Sequence, residues 1–149
     1  MMTTMMLRDL LALLVGMPGT FILHNEHGSM ELRGDDLYLH PFEEWLTVYH
    51  ATPKNPESQS HLHLRWRTVR SAAIQHHAGQ TPHLAFYRTS EPIGDPCLLW
   101  YFPSFYNWSQ GKVEIPAHIA RYEAFVQAHG MQMQFLIEAP GGAEQDAGE

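Results

Sequence analysis

Hydrophobic and polar positions change their period along the chain. Leu7, Leu10, Leu11 and Leu14 recur at helical spacing, and Gly16 and Pro18 follow directly. That pattern predicts a first helix, stopped by the glycine and proline. Beyond it the period shortens towards two, as in strands. "TFILHNE", "MELRG" and "LYLH" read as short strands around the turns "EHGS" and "GDD". In "EEWLTVYH", Trp45, Thr47 and Tyr49 fall on one face and Leu46 and Val48 on the other. "HLHLRW" alternates in the same way. "VRSAAIQHH" and "HLAFYRT" flank "AGQTP", which predicts a hairpin. "CLLWYF" predicts a strand ended by Pro103, with Leu98, Trp100 and Phe102 in the core, and "SFYNWSQGK" predicts irregular structure.

A second helix is expected in "PAHIARYEAFVQAHG". Pro116 suits its first position and Gly130 its end. Ile119, Tyr122, Phe125 and Val126 supply its apolar face. "MQMQFLI" alternates as a last strand. The loop "ATPKNPESQS" is long and polar, and the tail "EAPGGAEQDAGE" has nothing apolar to bury, so it is expected to be disordered. The order is therefore helix, many short strands joined by tight turns, helix. It predicts one α+β domain over 1–137, a large antiparallel β-sheet flanked by an N-terminal and a C-terminal helix, followed by an acidic tail over 138–149.

Composition narrows the function. The 149 residues carry 16 Asp and Glu against 9 Lys and Arg, a formal charge of −7. That balance argues against nucleic-acid binding through phosphates. One cysteine, Cys97, makes no internal disulfide and fits a reducing cytoplasm. No apolar run is long enough to span a bilayer, and the N-terminal stretch reads as a helix and not as a targeting segment. Eleven histidines are present, and only Lys54 and Lys112 are lysines. The cations are thus mostly arginine forks, suited to carboxylates and phosphates.

The chemistry concentrates in "SHLHLRWRTVR", residues 60–70. On a strand His61, His63 and Arg65 share one face, and Leu62, Leu64 and Trp66 share the other. The apolar face predicts core. The polar face has three readings. It is an ordinary solvated strand face, a divalent-metal site completed by His76, His77 or His83, or a site for a large planar anion such as haem. Haem needs an axial nitrogen, an apolar slot and cations for its propionates. No nucleophile elbow, phosphate-binding glycine loop or His-Glu-x-x-His motif occurs, so an enzyme is not expected.

The order of these segments resembles the single-domain cytosolic haem carriers of the HutX/ChuX type and the repeat unit of the HemS/ChuS haem-utilisation proteins. The resemblance runs from about residue 20 to 130. It rests on "FILHNEHGSMELRG", "EEWLTVYH", "HLHLRW", "AAIQHHAGQTPHLAFYRTSE", "LLWYFPS" and "IPAHIARYEAFVQAHG". Where the carriers have a Gly-Arg-Asp stretch after the last strand, this chain has "PSFYNW". The resemblance implies a non-catalytic haem-binding and haem-trafficking protein of iron utilisation, forming a homodimer. It implies His63, with His61 second, as the iron ligand, and Arg65, Arg67 or Arg70 beside the propionates. The alternatives are a dimeric interaction module of the same fold without a cofactor and a His-ligated divalent-metal protein.

Overall fold

A computed structural model describes residues 2–34, 36–50 and 61–137. Met1, Asp35, residues 51–60 (expected as a loop) and residues 138–149 (expected as a disordered tail) lie outside the described residues. Both predicted helices are present, as α1 (Leu7–Leu14) and α2 (Pro116–His129). Leu7, Leu10, Leu11 and Leu14 are buried on α1, and Tyr122 and Phe125 on α2. Ile119 and Val126 pack against them, half-buried. Pro116 opens α2, and Gly130 closes it with a φ of 81°. That conformation favours glycine, as the sequence implies.

The main sheet has seven strands: β1 (Thr3–Met6), β2 (Gly19–Asn25), β3 (Gly28–Gly34), β7 (Ser71–Gln75), β8 (His83–Tyr87), β9 (Leu98–Tyr101) and β12 (Gln132–Leu136). Its spatial order is β1-β12-β7-β8-β9-β2-β3. A separate three-stranded sheet holds β4 (Leu37–Phe42), β5 (Trp45–His50) and β6 (His61–Leu64) in that order. β10 (Tyr106–Asn107) and β11 (Val113–Glu114) form a small ribbon where irregular structure was expected.

The α+β class therefore holds, while the single antiparallel sheet needs correction on two counts. First, the strands divide between a large and a small sheet. Second, the large sheet is mixed: β1 pairs parallel with β12, Thr3 opposite Met133 and Met6 opposite Leu136. The sequence pattern had run β1 into the first helix. Its four residues are too short to show a period. Its partner also lies some 130 positions away, where no local signal can indicate pairing.

One face of the large sheet carries the core. Phe21, Leu84, Phe86, Leu98, Trp100 and Met133 are almost wholly buried there. One apolar cluster joins them to α1, α2 and the inner residues Leu37, Leu46, Val48, Leu62 and Leu64 of the small sheet. Phe102 ties α2 to the sheet, with ring centroids 5.0 Å from Tyr122 and 5.3 Å from Phe125. Gly19 lets the Trp100 indole lie on the backbone of β2. A Cβ there would overlap the indole and come within 2.7 Å of the Tyr101 carbonyl oxygen.

Candidate functional site

The site is built by the register of the small sheet. Tyr38 pairs with Tyr49, which pairs with His61. Two residues along, His40 pairs with Thr47, which pairs with His63, and then Phe42 pairs with Trp45. Alternation puts all of these on the outer face. The intervening Leu39, Leu46, Val48, Leu62 and Leu64 turn inward. The apolar residues thus hold the sheet on the core while its outer face collects three histidines and four aromatic rings. Tyr38 and Phe42 are more than half exposed.

Within this face the predicted histidines meet. The His61 and His63 rings lie 4.7 Å apart, tilted by 67°. Trp45 stands edge-on to His63 at 6.5 Å, and Tyr38 packs beside Tyr49 at 5.9 Å. Thr47 Oγ1 is 2.9 Å from His63 Nδ1. When Nδ1–H donates to that hydroxyl, Nε2 is left as the lone-pair nitrogen, the form a metal ligand needs.

Arg65 belongs to the same region. Its guanidinium lies over the Trp45 ring, 4.9 Å from the centroid, and its Nε is 3.5 Å from Glu44 Oε2. Both partners of that pair are more than half exposed, so the ion pair orients the arginine more than it stabilises the fold. The strand itself stops at Leu64, and Trp66–Thr68 form a 3₁₀ turn. Trp66 is buried all the same, so the predicted Leu62/Leu64/Trp66 core face is present. The turn changes the fate of the later arginines. Arg67 and Arg70 line a different cleft, together with Arg8 of α1.

Two open depressions border the histidine face. One, of about 270 Å³, is walled by Phe21, Leu23, Met30, Leu32 and Leu62, with His61 and Glu31 also lining it. It is apolar and lies between the β2–β3 hairpin and β6. The other, of about 320 Å³, lies beyond Trp45 and contains Arg65, Arg88 and Cys97. Burial pushes the Cys97 thiol up, and the nearby Arg88 opposes this only in part, so Cys97 is held as a thiol. Both depressions are open to solvent and lie near the ~300 Å³ lower end of ligand-enclosing pockets, so a large ligand would lie across this face.

Thr47, Arg88, Tyr38 and His40 join this region without having been singled out in the sequence. The alternation of Trp45, Thr47 and Tyr49 was visible. Their pairing with His61 and His63 was not, because it depends on register between segments separated by residues 51–60. Arg88 stands alone in "FYRT" and carries no sequence signal. The histidines proposed to complete a metal site lie elsewhere: His83 stacks on Tyr101, with centroids 4.6 Å apart, and His76 packs on Phe105 and Tyr122. Among the described residues no group of three or more His, Cys, Asp or Glu side chains is placed to hold a metal ion. Nor is any helix among them long and apolar enough to cross a membrane.

The class defined so far is an α+β domain with an open aromatic and histidine face. No family model matches the chain, and neither does any curated protein.

Proposed function

We propose that the chain binds haem on the outer face of the small sheet and acts as a haem-trafficking protein, with the HutX/ChuX-type fold that its sequence resembles. The observation that carries this reading is the His63 arrangement. Its Nδ1 is held by the Thr47 hydroxyl, its ring is flanked by Trp45, and His61 lies against it. A ring oriented through Nδ1, with Nε2 left for iron when Nδ1–H donates to the hydroxyl, is what an axial ligand requires. His61 borders the apolar depression, where one edge of a macrocycle would lose water against Phe21, Leu23 and Leu32. Arg65, on the Trp45 side, supplies a cation for a propionate, and Arg88 a second one across the neighbouring depression. Bound haem would supply the redox-active iron; the chain's residues bind and orient it.

Titration of the purified chain with hemin tests this reading. A Soret shift saturating at one equivalent in the low micromolar range is expected, and its loss in His61→Ala/His63→Ala. No shift, or one unchanged in that variant, ends the haem assignment.

The openness of the face favours a second reading. Exposed Tyr38 and Phe42 beside half-exposed Trp45 make an aromatic patch of the kind that marks protein interfaces. A cofactor-free dimeric module would use this patch between two copies, as an isologous interface. Sedimentation of the Tyr38→Ser/Phe42→Ser variant separates the two: under the second reading a dimer dissociates, and under the first hemin binding alone weakens.

A further inference from the structure

The sheet edges differ in how they are protected. An edge strand offers unpaired N–H and C=O groups to another strand, and proteins blunt such edges with shortness, proline, bulges or lysine. β1 and β6 have four residues each, β10 and β11 have two, and β4 carries Pro41. β3 has none of these devices. It is the last strand of the large sheet, seven residues long, and among the described residues no strand pairs with its outer side. Its register with β2 is unbroken from Asn25 opposite Gly28 to Gly19 opposite Gly34, so no bulge twists it away. Gly28, Ser29, Met30 and Glu31 are all exposed, and Met30 keeps 73% of its surface in water.

The two charges of β3, Glu31 and Arg33, have opposite sign and lie two positions apart. They therefore project from one side of the sheet, with Arg33 Nη2 3.8 Å from Glu31 Oε1 and both side chains more than half exposed. Across β2 they face Ile22 and Thr20, which carry no charge. Such a strand is complementary to itself. In an antiparallel pair related by a two-fold axis perpendicular to the sheet, one residue lies opposite its own copy. With Leu32 at that point, Glu31 faces Arg33 of the partner subunit, and Arg33 faces Glu31 of the partner subunit. Opposite charges stabilise such directly facing positions, and like charges destabilise them. With Glu31 at the axis, two carboxylates would meet instead. We propose that β3 pairs antiparallel with β3 of a second copy of this chain, centred on Leu32, and joins the two large sheets into one. Met30 then lies opposite Gly34 of the partner subunit, whose lack of a side chain leaves it room, and loses water there. This interface is separate from the aromatic face of the small sheet and does not depend on hemin.

Sedimentation velocity of the full chain without hemin, over the micromolar range, tests the pairing. A dimer is expected. Glu31→Arg and Arg33→Glu each set like charges opposite one another and should weaken dimerisation about tenfold or more. An equimolar mixture of these two variants restores the opposite pairs, and so does Glu31→Arg/Arg33→Glu, so both should dimerise as the unaltered chain does. If one single variant does not fold, the other and the double variant carry the test. A monomer at every concentration overturns the proposal. So does a dimer that both single variants retain, or one that Tyr38→Ser/Phe42→Ser abolishes, since the interface then lies elsewhere. Failure of both the mixture and the double variant to dimerise overturns it too. Assemblies larger than a dimer do the same, because two-fold pairing uses up the β3 edge of both copies.

Discussion

Trp100 and Trp45 stand in strands of similar appearance and meet different ends. Trp100, in β9 of the seven-stranded sheet, has no exposed surface; its indole lies over Gly19 and edge-on to Phe21 and Phe102. Trp45, in β5 of the three-stranded sheet, is half-exposed and touches His63 and Arg65. Each sheet turns one face to the shared core. In the large sheet that face carries the rings of Phe21, Phe86 and Trp100. In the small sheet it carries Leu46, Val48, Leu62 and Leu64, and the aromatic residues point away. Aliphatic residues thus supply the anchoring of the small sheet, and its rings remain available for contact with something else. Folding and binding are separable in such an arrangement, since different side chains of the same strands perform them.

Substitutions can break this contrast, the strongest first. Trp100→Ala should lower stability by about 3–5 kcal/mol, because the cavity it leaves lies among well-packed rings. Denaturant unfolding would measure the drop. Gly19→Ala approaches the same site from the backbone side and should cost about 1–3 kcal/mol by overpacking. A loss below ~0.5 kcal/mol would mean that Trp100 is not seated on β2.

On the small sheet, Leu46→Ala should cost about 2–4 kcal/mol, as an anchoring residue. Trp45→Ala, one position away, should cost clearly less and should instead weaken hemin binding. Equal stability losses from the two would erase the distinction between the inner and outer faces.

Thr47→Val keeps the shape of the side chain and removes the hydroxyl that holds His63. Hemin affinity should fall about tenfold, the lower end of what losing a ligand's orienting partner costs. Stability should move by less than ~0.5 kcal/mol. An unchanged affinity would remove Thr47 from the site.

The smallest effect concerns pH. On the outward face of the large sheet His83 Nε2 is 3.1 Å from Gln75 Oε1, and Gln75 Nε2 donates to the Tyr87 hydroxyl. Burial first, and the nearby His77 second, push the His83 pKa below its ordinary value. The unfolded chain therefore binds a proton at His83 more readily than the folded one. Its contribution to stability is intact above pH ~6.5 and is lost as pH falls towards the lowered folded value. His83→Gln should flatten the decline of the unfolding midpoint between about pH 6.5 and 5.

The local pattern made much of the fold legible. The four α1 leucines, the Tyr122/Phe125 face of α2, and the alternation of β5 and β6 are buried and exposed as their spacing implies. Local pattern could not reveal β1, nor that the strands separate into two sheets. Both depend on pairing between distant segments, and every strand carries the same period of two whichever sheet it joins.

For the candidate site the division is similar. Sequence alone determined that His61, His63 and Arg65 face away from Leu62 and Leu64, because alternation on a strand is a covalent consequence of chain geometry. Tertiary structure decided what those side chains meet. Register set Thr47 against His63, and the approach of the β2–β3 hairpin gave His61 an apolar neighbour. The end of β6 at Leu64 removed Arg67 and Arg70 from the histidine face. It joined them instead to Arg8, which lies about sixty positions earlier in the chain. A strand's period fixes directions along a few residues, whereas a cluster of charges requires segments brought together by the burial of the whole core.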